Sequence, residues 1–286
     1  MAFAPGSGNP ASSTPLSGNP ESSTPATTPR GRYLVWEYLV RCWRRYLLSS
    51  LAEAVGTPLL YLLALGVGLG SLIDSGPDPA ALGGISYLDY IAPALLVAAA
   101  VQVAVGESSY PAYSRFKWSR VFWGVTATPV TPAQVCEGEV LFIATRMAAG
   151  SSLYYLVLLA FGAAGDATGV LMIPIAMLTG LACGVWVLAL GARMRSEGGA
   201  FNVLFRFVIV PMTLFSGSFF PITEMPLAVR WLAWISPLWH GNELARGAAL
   251  GGLEFCPAVG HVAYLVGLLV VGTVVARRCY RERLIV

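Results

Sequence analysis

Charged side chains are scarce in this sequence, and lysine and histidine are almost absent. Asp, Glu, Lys and Arg make up 12% of its 286 residues, against roughly 25% in soluble domains. Phe116 precedes the only lysine, Lys117, so the chain contains no G-x-x-x-x-G-K-[ST] phosphate loop. The H-E-x-x-H helix and the G-x-S-x-G elbow are also missing. These absences exclude a P-loop NTPase, and no catalytic residue is predicted in this chain.

Cysteines are few and scattered, at positions 42, 136, 183, 256 and 279. No two of them form a C-x-x-C pair, so neither a zinc site nor a disulfide framework is indicated. All five are interpreted as structural, and no metal site is expected.

Apolar residues, in contrast, make up 56% of the chain, and the mean hydropathy is +0.67. A helix needs about 20 apolar residues to cross the roughly 30 Å hydrocarbon core of a lipid bilayer. The sequence therefore predicts an all-α polytopic membrane protein with six transmembrane helices, near residues 51–73, 87–106, 140–162, 170–190, 202–220 and 258–276. Its function is expected across or within the bilayer.

The basic residues alternate from one loop to the next. The loops predicted on one side hold only Arg230 and Arg246, whereas fourteen basic residues fall on the other: Arg30, Arg32, Arg41, Arg44, Arg45, Arg115, Lys117, Arg120, Arg193, Arg195, Arg277, Arg278, Arg281 and Arg283. Because Lys and Arg accumulate in cytoplasmic loops, both termini are predicted to be cytoplasmic.

The segment before the first predicted span has two parts. Residues 1–30 contain a repeat, at 7–15 and again at 17–25, whose Ser and Pro content predicts a disordered cytoplasmic tail. Residues 33–48 place Trp36, Leu39 and Trp43 on one helical side and arginines on the other, a pattern typical of an interfacial amphipathic helix. A plain anchor before the first span is the alternative.

The second predicted cytoplasmic loop mixes aromatic and basic side chains, namely Arg115, Phe116, Lys117, Trp118 and Arg120. It is interpreted either as a docking element for another protein or as an ordinary basic loop. After it, Thr131, Pro132 and Gln134 form a capping-box start. The third long helix is therefore predicted to begin before the bilayer.

Two ionisable residues lie at the edge of the third predicted span. Glu139 and Arg146 are seven residues apart, which places them on the same side of one helix. They are predicted either to line a seam between helices as a polar pair or to act as interfacial anchors.

The region after the fifth predicted span is amphipathic but interrupted by Gly and Pro. Non-helical backbone at membrane depth must be satisfied by protein or by a water-filled cavity. The region is therefore predicted to form an extracellular re-entrant helical cap, and an exposed amphipathic loop is the alternative. The candidate cap residues are Phe220, Pro221, Pro237, His240, Glu243 and Arg246.

These features together resemble the ABC-2 type transporter permeases, and among them the nodulation-type lipo-oligosaccharide and drug exporter permeases. The resemblance covers roughly residues 31–280. It is strongest in Gly106 and Glu107 with the loop up to Pro129, in residues 137–146, and in Phe215, Ser216, Gly217, Phe220, Pro221, Pro226, and residues 237–240 and 246–247.

The resemblance implies a membrane domain over residues 31–286 that pairs with a second permease, as a homodimer or heterodimer. Separate ATP-binding cassette subunits would carry ATP and Mg, so this chain itself is expected to bind no cofactor and no nucleic acid. It also implies that residues 115–123 are the coupling helix and residues 221–247 the cap. The implied function is export of an amphipathic or lipidic substrate out across the plasma membrane.

One alternative of a different class remains open. His240, Glu243 and Arg246 follow an i, i+3, i+6 spacing, which brings them near one helical face. They could form the working site of a polytopic membrane enzyme or an assembly scaffold that is not coupled to ATP.

Overall fold

The computed structural model describes residues 29–75, 85–165, 167–195, 199–252 and 254–285. Nearly all of the predicted disordered tail, residues 1–28, lies outside them. The described part is helical and contains no strand, which confirms the all-α prediction. Its helices are α1 (Gly31–Trp43), α2 (Leu47–Tyr61), α3 (Gly70–Asp74), α4 (Tyr87–Ser108), α5 (Tyr110–Lys117), α6 (Val121–Thr126), α7 (Pro132–Phe161), α8 (Met172–Arg193), α9 (Gly199–Leu204), α10 (Val210–Phe215), α11 (Leu227–Ile235), α12 (Pro237–Leu250) and α13 (Phe255–Leu284).

Shorter helical segments join some of these elements. Two of them are π-helical, Leu62–Leu69 between α2 and α3 and Phe205–Ile209 between α9 and α10. The 3-10 segments are Arg44–Tyr46, Ala167–Leu171 and Ile222–Glu224.

Four helical runs in the described residues are long and apolar enough to cross a bilayer. They are Tyr87–Lys117, Pro132–Phe161, Ala167–Arg193 and Phe255–Leu284. They contain the predicted second, fourth and sixth spans, and all of the third except its last residue, Gly162. The other two predicted spans fall on shorter apolar helices, Leu59–Ile73 and Gly199–Phe215. The multi-helical membrane architecture is therefore confirmed, whereas the number of six spans stays a prediction.

Both shorter helices contain a π-helical segment that the hydropathy of the sequence did not reveal. Pro211 follows the second of these segments, Phe205–Ile209. Proline lacks an N–H and its ring crowds the carbonyl four residues earlier, so the backbone before it departs from regular α-helix. This helix ends at Phe215, five residues before the end of the predicted span at 220.

Helices α4 and α8 form the centre of the bundle and are lined by small buried side chains. At Gly180 in α8, an added Cβ would lie 2.2 Å from Met147 Cε and 3.0 Å from the Ala100 carbonyl oxygen. Small residues let membrane helices approach this closely, and dispersion contacts then stabilise their association.

Helix α7 begins at the capping box expected from the sequence. The Thr131 hydroxyl accepts a hydrogen bond from the Gln134 N–H at 3.3 Å, and Gln134 Oε1 accepts one from the Thr131 N–H at 3.0 Å. The helix has 30 residues, a length of about 45 Å at 1.5 Å per residue. It is therefore longer than the hydrocarbon core is thick.

Helix α1 packs along the first half of α7. Its buried side is formed by Val35, Leu39 and Trp43. Leu39 and Trp43 were predicted on this side, whereas Val35 takes the place expected for Trp36. The Trp36 indole N–H donates to Thr145 Oγ1 at 2.9 Å. Helix α1 is thus amphipathic, but α7 covers part of its apolar side.

The bundle has two ends of different construction. The basic end contains α1, α5, α6, the start of α7 and the last turns of α13, which are joined by contacts such as Arg277 to Glu137 at 2.9 Å. The cap end contains the start of α4, residues 216–252 and the start of α13. The two candidate site regions of the sequence lie at these opposite ends.

Candidate functional site

The aromatic and basic loop forms a helix–turn–helix surface at the basic end. Helix α5 ends at Lys117, and α6 begins at Val121 after a turn in which Arg120 has a left-handed backbone conformation, with φ of 50°. Trp118 and Arg120 are exposed in this turn, Trp118 to 63%. Residues 118–120 are called the exposed turn below.

Aromatic contacts fasten this turn to the rest of the basic end. Phe116 is buried, and its ring centroid lies 4.8 Å from that of Phe122 and 4.9 Å from that of Tyr280 on α13. The guanidinium carbon of Arg283 lies 4.6 Å from the centroid of the Phe116 ring. The residues on either side of the exposed turn, Phe116 and Phe122, therefore both pack against Tyr280 on α13.

Arg115 does not belong to the exposed turn, although the sequence grouped it with the docking residues. Its Nη1 lies 2.7 Å from Glu139 Oε1 on α7, and the two side chains are 14% and 0% exposed. The second oxygen of Glu139 has no hydrogen-bond partner among the described residues. Arg115 thus connects α5 to α7 and faces inward.

The sequence suggested that Glu139 and Arg146 form a polar pair, but in the structure they do not contact each other. Arg146 forms an ion pair with Glu107 on α4 and donates to Ser50 Oγ on α2. Its guanidinium carbon lies 5.7 Å from the centroid of the Trp43 ring. Seven residues along α7 separate the two groups, and each reaches a nearer opposite charge on a different helix.

The Arg146–Glu107 pair lines one end of a cavity of about 370 Å³. The cavity lies between α2, α4, α7 and the helix that runs from α9 through the π-helical segment to α10. Much of its wall is apolar and includes Leu95, Leu96, Ala99, Met147 and Phe219. Its polar wall residues are Ser50, Glu53, Thr57, Gln102, Glu107, Arg146, Ser151, Tyr154 and Thr213. The volume falls in the range of 300–1,000 Å³ typical of small-molecule sites.

Several polar atoms of the cavity wall are not satisfied by the protein. Glu107 Oε2, Ser151 Oγ and Tyr154 Oη are buried and have no hydrogen-bond partner in the part of the chain that the structure describes. Tyr154 is 1% exposed and Ser151 is 4% exposed. Buried polar groups without partners are destabilising. Each of these atoms has less than 1 Å² of accessible surface, so in this conformation none of them is presented to the cavity.

At the cap end, the chain leaves the helix at Ser216 and turns at Gly217, where φ is 69°. The side chain of Arg246 on α12 donates hydrogen bonds to the buried backbone at this turn. It donates to the carbonyls of Tyr90 at 3.2 Å, of Ser218 at 3.4 Å and of Gly217, and it lies 3.9 Å from the centroid of the Tyr90 ring. Burial lowers the pKa of Arg246, while Tyr90 and Glu243 raise it.

Asn242 completes this support, and sequence reasoning did not single it out. Its amide nitrogen donates to the Ser216 carbonyl at 3.2 Å and to Ser218 Oγ at 2.9 Å. Tyr87 and Tyr90 also donate, to the carbonyls of Phe219 at 3.2 Å and Gly217 at 3.3 Å. Only the three-dimensional contacts reveal these residues, because nothing in their local sequence marks them.

The remaining predicted cap residues lie around α12. Pro237 starts α12, Pro221 precedes the Ile222–Glu224 segment, and Phe220 is exposed. Glu243 Oε1 is 3.3 Å from Arg246 Nη1, whereas His240 faces α13 instead.

His240 contacts His261, which was not predicted because the two residues are 21 positions apart in the sequence. Their Nδ1 atoms are 2.6 Å apart, and His240 Nε2 is 3.0 Å from the Trp234 carbonyl. Tyr264 stacks on the His240 ring with centroids 4.0 Å apart. Burial lowers the pKa of His240, and His261 lowers it further, against the Trp234 hydrogen bond.

Comparison with known proteins assigns this arrangement to a family. Residues 31–250 match the model described as ABC-2 type transporter. The chain belongs to this family. It is similar to nodulation protein J of Rhizobium leguminosarum bv. viciae, with 26% identity over 262 residues that cover 88% of this chain and 97% of that protein. Nodulation protein J of Rhizobium leguminosarum bv. trifolii is 27% identical over 250 residues, covering 85% and 92%. That of Rhizobium meliloti (strain 1021) is 26% identical over 236 residues, covering 82% and 85%.

Membership of the ABC-2 family confirms the resemblance found in the sequence. The chain is a transporter permease of the multi-pass helical membrane class. Of the three residues in the alternative enzyme or scaffold hypothesis, Arg246 donates chiefly to backbone carbonyls, and His240 faces His261 rather than the other two.

Proposed function

We propose that this chain is the transmembrane subunit of an ATP-driven exporter, which moves an amphipathic or lipidic substrate out across the plasma membrane. The cavity of about 370 Å³ inside the ABC-2 fold carries this proposal. Its wall is apolar for much of its surface and charged at one end. An amphiphile has the matching pair of features, an apolar chain and a polar head group.

The basic end is the cytoplasmic end in this proposal. The described cationic side chains concentrate there, as the positive-inside rule requires of cytoplasmic loops. The two termini, at α1 and at the end of α13, lie on that side, and the six predicted spans follow if both broken helices cross the bilayer. Residues 216–252 then form the extracellular cap.

Energy reaches the permease through the exposed turn. A separate ATP-binding cassette subunit docks on Trp118 and Arg120, because this chain has no phosphate loop of its own. Movement of the turn is transmitted through Phe116 to α13 and through Arg115 to α7. A second permease, identical or different, completes the transporter.

Co-purification from native membranes tests the docking step. The tagged chain is extracted in mild detergent, and the recovered proteins are identified by mass spectrometry and assayed for ATP hydrolysis. We expect a stoichiometric subunit with a phosphate loop. The double variant Trp118→Ala, Arg120→Glu should reduce its recovery at least tenfold without changing the membrane level of the permease.

The matched control is Trp231→Ala, Arg230→Glu, which alters an exposed aromatic and a basic residue at the cap end. It should leave recovery of the ATP-binding subunit unchanged. Recovery of the permease alone and without ATPase activity, under conditions that preserve other membrane complexes, would contradict the proposal. Equal recovery with both double variants would instead remove the exposed turn as the docking surface.

A further inference from the structure

The charges that line the cavity are unequal in sign. Glu53, Glu107 and Arg146 are its ionisable acidic and basic wall residues. The single guanidinium is already paired with Glu107 through Oε1. Glu53 is exposed on the same side of α2 as Ser50 and Thr57. The charged end of the cavity therefore has one carboxylate in excess.

The second oxygen of Glu107 points to the kind of group that this end would bind. Glu107 Oε2 is buried and lacks a hydrogen-bond partner among the described residues. A carboxylate oxygen only accepts hydrogen bonds, so a hydrogen-bond donor at this end, reached by rotation of the Glu107 side chain, would satisfy it. An anionic head group would instead approach two carboxylates in a partly buried site, where charges are weakly screened.

The middle of the cavity offers two hydroxyl groups. Ser151 and Tyr154 lie about one helical turn apart on α7, and both hydroxyls lack partners within the described chain. Each can donate or accept one hydrogen bond to a hydroxyl or amide. Beyond them, Leu95, Leu96 and Phe219 form an apolar wall suited to an alkyl chain.

We propose that this cavity binds a cationic amphiphile, with a protonated amine against Glu107 and Glu53. Its hydroxyl or amide groups lie beside Ser151 and Tyr154, and its alkyl chain lies along the wall of Leu95 and Phe219. Arg146 orients Glu107 and neutralises one carboxylate. The inference deepens the proposed export function by naming the head-group charge of the cargo, and binding itself requires neither ATP nor a partner subunit.

Photo-crosslinking with matched probes tests the charge preference. The full chain is placed in nanodiscs of zwitterionic lipid. Three probes share one 12-carbon chain with a diazirine and differ only in the head group, which is a primary amine, a carboxylate or a hydroxyl. Labelled peptides are mapped by mass spectrometry. We expect saturable labelling of residues 95–107 and 146–154 by the amine probe, at least tenfold stronger than by the carboxylate probe.

Variants distinguish the effect of the cavity's carboxylate charge from the effect of its volume. Glu53→Gln leaves the buried ion pair intact and should weaken amine labelling several-fold, and Glu107→Gln should weaken it about tenfold. Ser151→Leu fills the cavity and should abolish labelling by every probe. Glu224→Gln, an exposed carboxylate at the cap end, is the matched control and should change nothing. A thermal melt of each variant identifies any that fail to fold.

Equal labelling by the amine and carboxylate probes would overturn the charge preference. Absence of saturable labelling by all three probes would overturn the site. The proposed export function is judged separately, because Glu53→Gln and Ser151→Leu should still recover the ATP-binding subunit from membranes. A permease that binds the amine probe but recovers no ATP-binding subunit would contradict the export function alone.

Discussion

The two ends of the bundle use their charged side chains in different ways. At the basic end, ion pairs join helices to one another, as Arg115 on α5 joins Glu139 on α7. Arg283 also donates to backbone carbonyls there, but only where α8 ends, at Gly191, Ala192 and Met194. At the cap end, Arg246 and Asn242 donate chiefly to backbone carbonyls of residues 216–218. The difference follows from the backbone. Intact helices satisfy their own carbonyls, so their side chains are free to pair, whereas an interrupted helix exposes carbonyls that side chains must satisfy.

Removing Arg246 should have the largest effect on stability. Arg246→Met removes charge-assisted hydrogen bonds to the carbonyls of Tyr90, Gly217 and Ser218, each worth about 1.5–3 kcal/mol, although the Tyr90 hydroxyl still donates to the Gly217 carbonyl. We expect a loss of about 3–6 kcal/mol, measured as the melting temperature of the detergent-solubilised protein. Arg246→Lys should recover little of it, because an ammonium cannot reproduce the guanidinium fork.

Arg278→Met is the matched control for this change, since Arg278 is exposed on α13. It should alter stability by less than about 0.5 kcal/mol. An unchanged melting temperature for Arg246→Met would show that water satisfies the carbonyls of residues 216–218, and the contrast between the two ends would disappear.

Breaking the Arg115–Glu139 pair should have a smaller but distinctive effect. Glu139→Leu leaves a largely buried guanidinium without its carboxylate, at a cost of about 3 kcal/mol. The double variant Glu139→Leu, Arg115→Leu should recover much of that stability, because a buried ion pair is often replaceable by apolar side chains. The melting temperatures of both single variants and the double variant form a complete cycle.

An exposed pair at the same end provides the reference for this cycle. Arg41 and Glu37 lie 2.5 Å apart on α1 with side chains 73% and 48% exposed. Their coupling should not exceed about 0.5 kcal/mol. If the Arg115–Glu139 cycle gave a coupling as small as this, the pair would not connect α5 to α7 in an energetically significant way.

The smallest effect expected is a pH dependence confined to the cap end. The folded-state pKa of His240 is lowered by burial, so the neutral form is favoured in the folded protein. Its stabilising contribution is complete above about pH 6.5, the usual pKa of histidine. It is lost as the pH falls through that value towards the folded-state pKa. Melting temperatures at pH 7.5 and 5.5 should therefore differ by a few degrees.

Geometry explains why His261 matters to this titration. One imidazole of the pair must donate at Nδ1 and the other must accept, so only one of the two rings can hold an extra proton without breaking the contact. His261→Phe should reduce the pH difference relative to the parent chain. An equal difference in both proteins would assign the acid sensitivity to other groups.

Local features of the structure were predictable from the sequence. The capping box of Thr131 and Gln134 is complete within four residues, and hydropathy located the four long apolar runs because transfer of apolar residues into the bilayer depends on composition. Residues 115–123 were instead expected to form one helix, and the turn at 118–120 between α5 and α6 interrupts them. The π-helical segments were not predictable either, because they interrupt a helix without interrupting its hydropathy.

The amino-acid sequence by itself determined the class of the protein, the helical segments and the concentration of positive charge at one end. Each of these depends on short-range propensity, apolar content or net charge. Only the tertiary structure decided that Arg115 faces Glu139, that Arg146 pairs with Glu107, and that Arg246 donates to the backbone at Gly217. These partners are 24, 39 and 29 residues apart along the chain. A charged side chain pairs with whichever group the packed helices bring nearest, and no local pattern encodes that distance.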